Sequence, residues 1–179
     1  MLQTPASFTP LIAPQAHPDP LTFVFHKGRL LVREHDLSLP AAELADAMGF
    51  DAGDLHPVGL LDGRYCQATW STSDAPPQAG FAYRGLRSMF GSIDEDLLGV
   101  AGRASQIAEW ARTHRYCGAC ASTMQRAAGE RCFQCAACGN LAYPRISPAM
   151  MVLIRKGDSV LLALHTASPT GRFSPLAGF

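Results

Sequence analysis

With 179 residues, 47% of them hydrophobic and 17% charged, the chain has the apolar content for a buried core and lies outside the compositions of disordered or collagenous proteins. Fifteen Lys and Arg balance fifteen Asp and Glu, which excludes a global field drawing the chain to nucleic acid or an anionic membrane, so an anionic ligand must be met locally. No apolar run reaches the ~18 residues of a membrane span and no basic, cleavable leader is legible; the expected location is the cytoplasm.

Residues 1–20 carry five prolines and read as a flexible lead-in. Thr22–Phe25 and Leu30–Val32 flank His26-Lys27-Gly28-Arg29, the pattern of a β-hairpin. A short helix follows over Ala41–Met48, with Pro40 in its first turn and Gly49 at its end. Residues 57–61 and 64–70 make a second hairpin around Asp62-Gly63, among the stronger local turn signals. The polar, proline-bearing stretch Thr72–Gly80 is a loop and a candidate boundary. The clearest helix starts at Ser92, where Ser92-Ile93-Asp94-Glu95 has the capping-box pattern. Ile93, Leu97, Ala101, Ala104, Ala108 and Ala111 recur at helical spacing, widened by Ile107 and Trp110, and make a packing stripe.

Cys117-Gly118-Ala119-Cys120 is followed by fourteen residues and then Cys135-Ala136-Ala137-Cys138. Each Cys-x-x-Cys turn presents two sulfurs to one side of a metal, and Gly139 relieves the second turn sterically. Four protein ligands fill a tetrahedron, so zinc here is structural and holds no catalytic water; two disulfides or free thiols are the alternative. Cys132 and Cys66 are set aside as non-ligands, because Cys138-Gly139 makes the better knuckle. So small a segment is poor in large apolar groups, and chelation is expected to unfold it. The six histidines have no ligand spacing and read as surface or packing residues.

Taken together, Arg115–Cys120, Cys135-x-x-Cys138, Tyr143-Pro144-Arg145-Ile146-Ser147-Pro148-Ala149, the hairpin Gly157–Ala163 and Leu176-Ala177-Gly178-Phe179 resemble the Nudix-type NADH pyrophosphatases, or NAD diphosphatases. The resemblance is specific from Ser92 to Phe179; residues before it match only as a variable N-terminal α+β domain. It implies hydrolysis of the pyrophosphate of NADH or NAD to nicotinamide mononucleotide and AMP, action on NAD-capped RNA in some members, catalytic Mg2+ or Mn2+ held by Nudix-box glutamates, and a homodimer through the Nudix and zinc-ribbon regions. Gly178 matches the first glycine of the Nudix box, so the sequence holds no catalytic residue and the chain is expected to be inactive alone. Ala177 matches the residue whose backbone carbonyl joins the divalent metal, and Phe179 the aromatic that stacks on nicotinamide. Glu130, Tyr143 and Arg87 match substrate contacts. Arg84 competes with Arg87, and Arg33-Glu34 stands where the family has a basic residue.

The expected architecture is α+β: a lead-in at 1–20, a small N-terminal α+β domain at 21–91, a linking helix at 92–114, a zinc ribbon at 115–144, and at 145–179 the first strands of an incomplete Nudix α/β/α domain. From a different class, the competing reading is a non-catalytic zinc-ribbon module that binds RNA or a protein partner; balanced charge and the lack of an aromatic-basic cluster on the ribbon count against it.

Overall fold

The computed structural model describes residues 4–145, 148–167 and 171–178, and the chain divides into two compact units, Met1–Pro144 and Arg145–Phe179. The first unit begins with strand β1 (Phe8–Pro10), followed by the hairpin β2 (Leu21–His26) and β3 (Arg29–Arg33). Lys27 and Gly28 have φ of 48° and 74°, the left-handed pair that a two-residue type I′ turn demands. Helix α1 (Ala42–Ala47) is one turn and a half, and Gly49, with φ 70°, follows it as expected. Strands β4 (His56–Leu61) and β5 (Arg64–Trp70) form the second hairpin, again on a turn with two positive φ values, 51° at Asp62 and 78° at Gly63.

These strands build one sheet in the order β1-β4-β5-β2-β3, completed beyond β3 by β6 (Phe81–Arg84). The β2–β5 pair is parallel and the rest are antiparallel. Four consecutive residues of β2, Thr22–Phe25, are buried, as a central strand covered on both faces requires. Two expectations fail here. The proline-rich lead-in contributes β1, which pairs with β4 at the sheet edge; Pro10 is tolerated because an edge strand leaves one side without a ladder. The loop 72–80 is no boundary either, because β6 follows it and pairs with β3 in the same sheet.

Helix α2 (Glu95–Thr113) packs across β2, β4 and β5. Its cap is Asp94, whose carboxylate accepts from the Leu97 amide at 2.9 Å, so the helix starts two residues after the expected Ser92 cap. The reason is local: the Ser92 amide is turned back onto the Met89 carbonyl at 3.0 Å, closing the preceding 3-10 turn (Leu86–Met89), and aspartate caps as well as serine does. The expected stripe is buried at Ala101, Ala104, Ile107, Ala108, Trp110 and Ala111, joined by Leu98 and Val100; Ile93 and Leu97 pack at its margin. The main core lies between this helix and the sheet, with Phe23, Phe25, Leu30, Val32 and Val58 beneath it.

In the second unit β10 to β15 follow the ribbon strands described below. The apolar runs either side of Gly157-Asp158 are each split, at Leu153 and Leu162, into β10 (Met150–Val152) and β11 (Ile154–Lys156), and β12 (Ser159–Leu161) and β13 (Ala163–Leu164). Each break marks a change of partner. β11 pairs with β12 across Gly157-Asp158, whereas β13 pairs with β14 (Phe173–Ser174) and β10 with β15 (Leu176–Gly178). The backbone of this unit therefore finds partners within the chain, while Met150, Val152, Leu153 and Leu161 stay exposed at 69%, 48%, 55% and 52%. Exposed apolar side chains grouped in this way are suited to being covered.

Among the glycines described, Gly59 has the closest surroundings: a Cβ there would lie 2.4 Å from the Phe8 ring and from the Thr9 carbonyl oxygen. Both atoms belong to β1 or its start, so a methyl group must push the edge strand away. Gly59→Ala is expected to lower the unfolding free energy by roughly 1–3 kcal/mol, read as a lower urea midpoint with an unchanged slope.

Candidate functional site

The ribbon consists of β7 (Met124–Arg126), β8 (Phe133–Cys135) and β9 (Leu141–Ala142) in one antiparallel sheet. Its two knuckles repeat one backbone pattern. Cys117 donates its amide to Ser122 at 2.8 Å and accepts at its carbonyl from Ala121 at 2.8 Å; Cys135 donates to Asn140 and accepts from Gly139, each at 2.9 Å. The residue after each second cysteine takes a left-handed conformation, φ 61° at Ala121 and 76° at Gly139.

This geometry brings Cys117, Cys120, Cys135 and Cys138 together, with all four sulfurs within 4.8 Å of one another. Three of the separations are 3.5 Å, Cys117–Cys138, Cys120–Cys135 and Cys120–Cys138. Thiolates ~2.3 Å from a tetrahedral zinc stand about 3.8 Å apart, whereas a disulfide needs ~2.0 Å; all six cysteines are unbonded. The donor set fits zinc electrostatically as well. Amide donors from Ala119 and Cys120 hold the Cys117 thiol below its ordinary value, and hydrogen bonds from Ser122 bring Cys120 down to about 6. Cys138 is drawn down by the Asn140 amide but crowded by Cys120, Cys117 and Cys135, and the net effect pushes it up to about 12. Four thiolates so close together require a cation to ionise together. Cys132 and Cys66 are buried at 1% and 0% exposure and belong to no metal-holding group among the described residues.

The ribbon is not the self-contained, metal-only module expected from its composition. Phe133 stacks on Trp110 of α2 with centroids 4.5 Å apart, and Met124, Cys117 and Cys135 join them in one apolar cluster with Trp70 and Ala142 at its edge. Two arginines complete the junction. Arg126 donates to the carbonyls of Leu55 at 2.9 Å and Gly53 at 3.3 Å and lies 3.1 Å from His56 Nδ1. Arg131 donates to the Pro57 carbonyl at 2.5 Å and to that of Leu11. His56, one of the histidines read as packing, stacks on Trp70; burial, then the two arginines, hold its pKa down to about 4.

Of the residues read as ligand contacts, the structure unites Glu130 and Tyr143. The Tyr143 hydroxyl donates to the Glu130 carboxylate at 2.6 Å, bridging the loop after β7 and the end of β9, and both side chains are exposed. That hydrogen bond pushes the Tyr143 phenol up to about 12. Arg87 lies exposed on the 3-10 turn ahead of α2 and, among the described residues, shares no hydrogen bond or ion pair with either. Arg84 ends β6, and Arg33 stacks over Phe81 at 5.2 Å. Ala177 is the middle residue of β15, opposite Met151. Phe179 lies outside the described residues. Among the described residues no carboxylate cluster accompanies Ala177, so the residues present do not fit a catalytic divalent ion there. Sequence reasoning missed Arg126 and Arg131, whose partners are 70 to 120 positions distant, beyond any local pattern. It also missed an open groove of about 700 Å³ between the β2–β3 turn and the end of α2, where Lys27 pairs with Asp74 and Arg112 with Glu109.

The description "NADH pyrophosphatase-like rudimentary NUDIX domain" matches residues 20–110, more than half of the chain, and "NADH pyrophosphatase zinc ribbon domain" matches residues 112–143. The chain belongs to the NADH pyrophosphatase family. The matched Nudix-like segment takes in β2 to β6 and most of α2 and has no glutamate-rich box. Proteins named NAD-capped RNA hydrolase NudC are similar to it: that of Pseudomonas fluorescens Pf-5 is 44% identical over 126 residues, 69% of this chain and 45% of the relative. That of Stutzerimonas stutzeri A1501 is 45% identical over 100 residues, 56% of this chain and 36% of the relative. That of Deinococcus radiodurans R1 is 35% identical over 181 aligned residues, 99% of this chain and 62% of the relative. The chain therefore spans between about a third and just over three fifths of the lengths of these relatives.

Three outcomes follow from this geometry. Purified under reducing conditions, the chain is expected to hold one zinc; Cys→Ser at any of the four positions abolishes this, whereas Cys132→Ser and Cys66→Ser do not, as metal analysis will show. At the left-handed Ala121, glycine removes a steric cost of about 1–2 kcal/mol that Gly139 avoids, so Ala121→Gly is expected to raise resistance of the ribbon to chelation, measured by zinc release to a colorimetric chelator. For His56 the folded pKa lies below the unfolded one, so the unfolded state takes up the proton first. Stability is then complete above the ordinary histidine range and lost as pH falls towards about 4, with a slope of at most about 1.4 kcal/mol per pH unit. Comparing urea unfolding of the parent and His56→Phe between these limits isolates that slope.

Proposed function

We propose that the chain supplies the zinc ribbon and Nudix-like domain of an enzyme that hydrolyses the pyrophosphate of NADH or NAD to nicotinamide mononucleotide and AMP, with NAD-capped RNA in the same substrate class. The observation that carries this reading is the Glu130–Tyr143 hydrogen bond on a ribbon of this family. A phenol paired to a carboxylate offers an exposed aromatic face for a base or nicotinamide ring and an acceptor for ribose hydroxyls. The four cysteines hold zinc, which here supplies structure and no chemistry. Arg87 is proposed as a phosphate contact, since a guanidinium matches a phosphate bidentately, and Phe179 as a stacking residue.

In the family reading Mg2+ or Mn2+, held by Nudix-box glutamates, would supply charge neutralisation at phosphorus and orient water. These 179 residues hold only the Ala177 carbonyl for that ion, without Nudix-box glutamates, and so bind the dinucleotide but do not turn it over. The segment 145–179 is proposed as the first strands of a Nudix hydrolase sheet, and its exposed apolar side chains, with the ribbon, as part of a homodimer interface.

The test is direct. Isothermal titration of the zinc-loaded chain with NADH is expected to show binding that Tyr143→Ala and Glu130→Gln each weaken about tenfold, the order of one charge-assisted hydrogen bond or one stacked ring. Chromatography of the same mixtures with Mg2+ or Mn2+ is expected to show no AMP. Binding unaffected by both substitutions refutes the ligand site, and AMP release by the parent chain refutes the inactivity.

A further inference from the structure

Behind the Glu130 loop, at the junction of the ribbon with the sheet and α2, lies a cavity of about 10 Å³ whose lining includes His56, Trp110, Arg126, Glu130, Arg131 and Cys132. Two of these side chains have a nitrogen without a hydrogen-bond partner among the described residues, His56 Nε2 and Trp110 Nε1. Both side chains are deeply buried, at 3% and 7% exposure, and both rings touch Phe133, His56 edge-on at 6.0 Å and Trp110 face-on at 4.5 Å.

Both nitrogens are donors. An indole nitrogen has only its N–H. The His56 Nδ1 faces a guanidinium N–H of Arg126 at 3.1 Å and can only accept there, which puts the proton of the neutral ring on Nε2. A buried N–H without an acceptor is costly, and these two donors belong to side chains that line one cavity, which calls for an acceptor there. The space admits about one water and little more. An anion is disfavoured because the acidic Glu130 is among the lining residues and both guanidiniums already face carbonyl oxygens.

We propose that one buried water occupies this cavity, accepting from His56 Nε2–H and Trp110 Nε1–H and donating to the Glu130 carboxylate. Tyr143 takes one oxygen of that carboxylate, Oε2, and the water holds the other. Glu130 is thereby fastened at once to β4 through His56 and to α2 through Trp110, and the two rings become positioning residues for it. The water does not depend on what Glu130 binds, so its test is independent of NADH.

A high-resolution crystal structure of the zinc-loaded chain is expected to show one solvent peak within about 3.2 Å of both nitrogens. In His56→Phe the peak is expected to vanish and the Glu130 side chain to lose its single rotamer, while zinc remains at one per chain. In solution, the Trp110 indole proton, assigned with Trp110→Phe, is expected to show a cross-relaxation peak to a long-lived water. A dry cavity, protein oxygens on either nitrogen, a peak unchanged in His56→Phe, or an indole proton without contact to bound water would each overturn the proposal.

Discussion

The structure depends on the junction at which the ribbon is fastened to the sheet and α2. Two guanidiniums, Arg126 and Arg131, are partly withdrawn from water and spend their donors on main-chain carbonyls of residues 11, 53, 55 and 57. Buried charge without such partners is costly, so the arginines specify one docking of the ribbon. Beneath them the Trp110–Phe133 and His56–Trp70 stacks supply apolar contact, large for aromatic rings. The same backbone positions that accept from the arginines lie in or beside β4, which Gly59 allows β1 to approach. The lead-in, the sheet edge and the ribbon are therefore parts of one construction.

This arrangement changes the place of the metal cluster in the fold. A four-cysteine ribbon standing alone would owe its order to chelation. Here Met124 and Phe133 already share a core with Trp110, so a metal on the four cysteines would order the knuckles while the strands are also held by packing. The chain is accordingly a sheet, a helix and a ribbon in one body from β1 to β9, with a second unit of short ladders after it.

What could be read in advance was what is local. Asp62-Gly63 announces its own turn because few residues tolerate two positive φ values, and the Cys-x-x-Cys pairs announce theirs because sulfur geometry constrains spacing. The capping pattern alone places the start of α2 two residues early, since Ser92, Asp94 and Glu95 all suit an N-terminus and the Ser92–Met89 and Leu97–Asp94 hydrogen bonds decide among them. β1, β6 and the arginine contacts were illegible because their partners lie far along the chain. Glu130 and Tyr143 stand out only through the resemblance to the family; that they are hydrogen-bonded to one another follows from the loop after β7 folding back beside the end of β9, which no local pattern conveys.

The proposed dinucleotide site thus rests on a rigid support: an exposed carboxylate–phenol pair on a ribbon whose root is locked to the sheet. The most direct measurement is a titration of the isotope-labelled, zinc-loaded chain with NADH, followed by backbone amide shifts. The largest changes are expected to centre on Glu130 and Tyr143, and nicotinamide protons to show contacts to the Tyr143 ring. Shifts confined to the groove between the β2–β3 turn and the end of α2, or no shifts at saturating NADH, would contradict the proposed site.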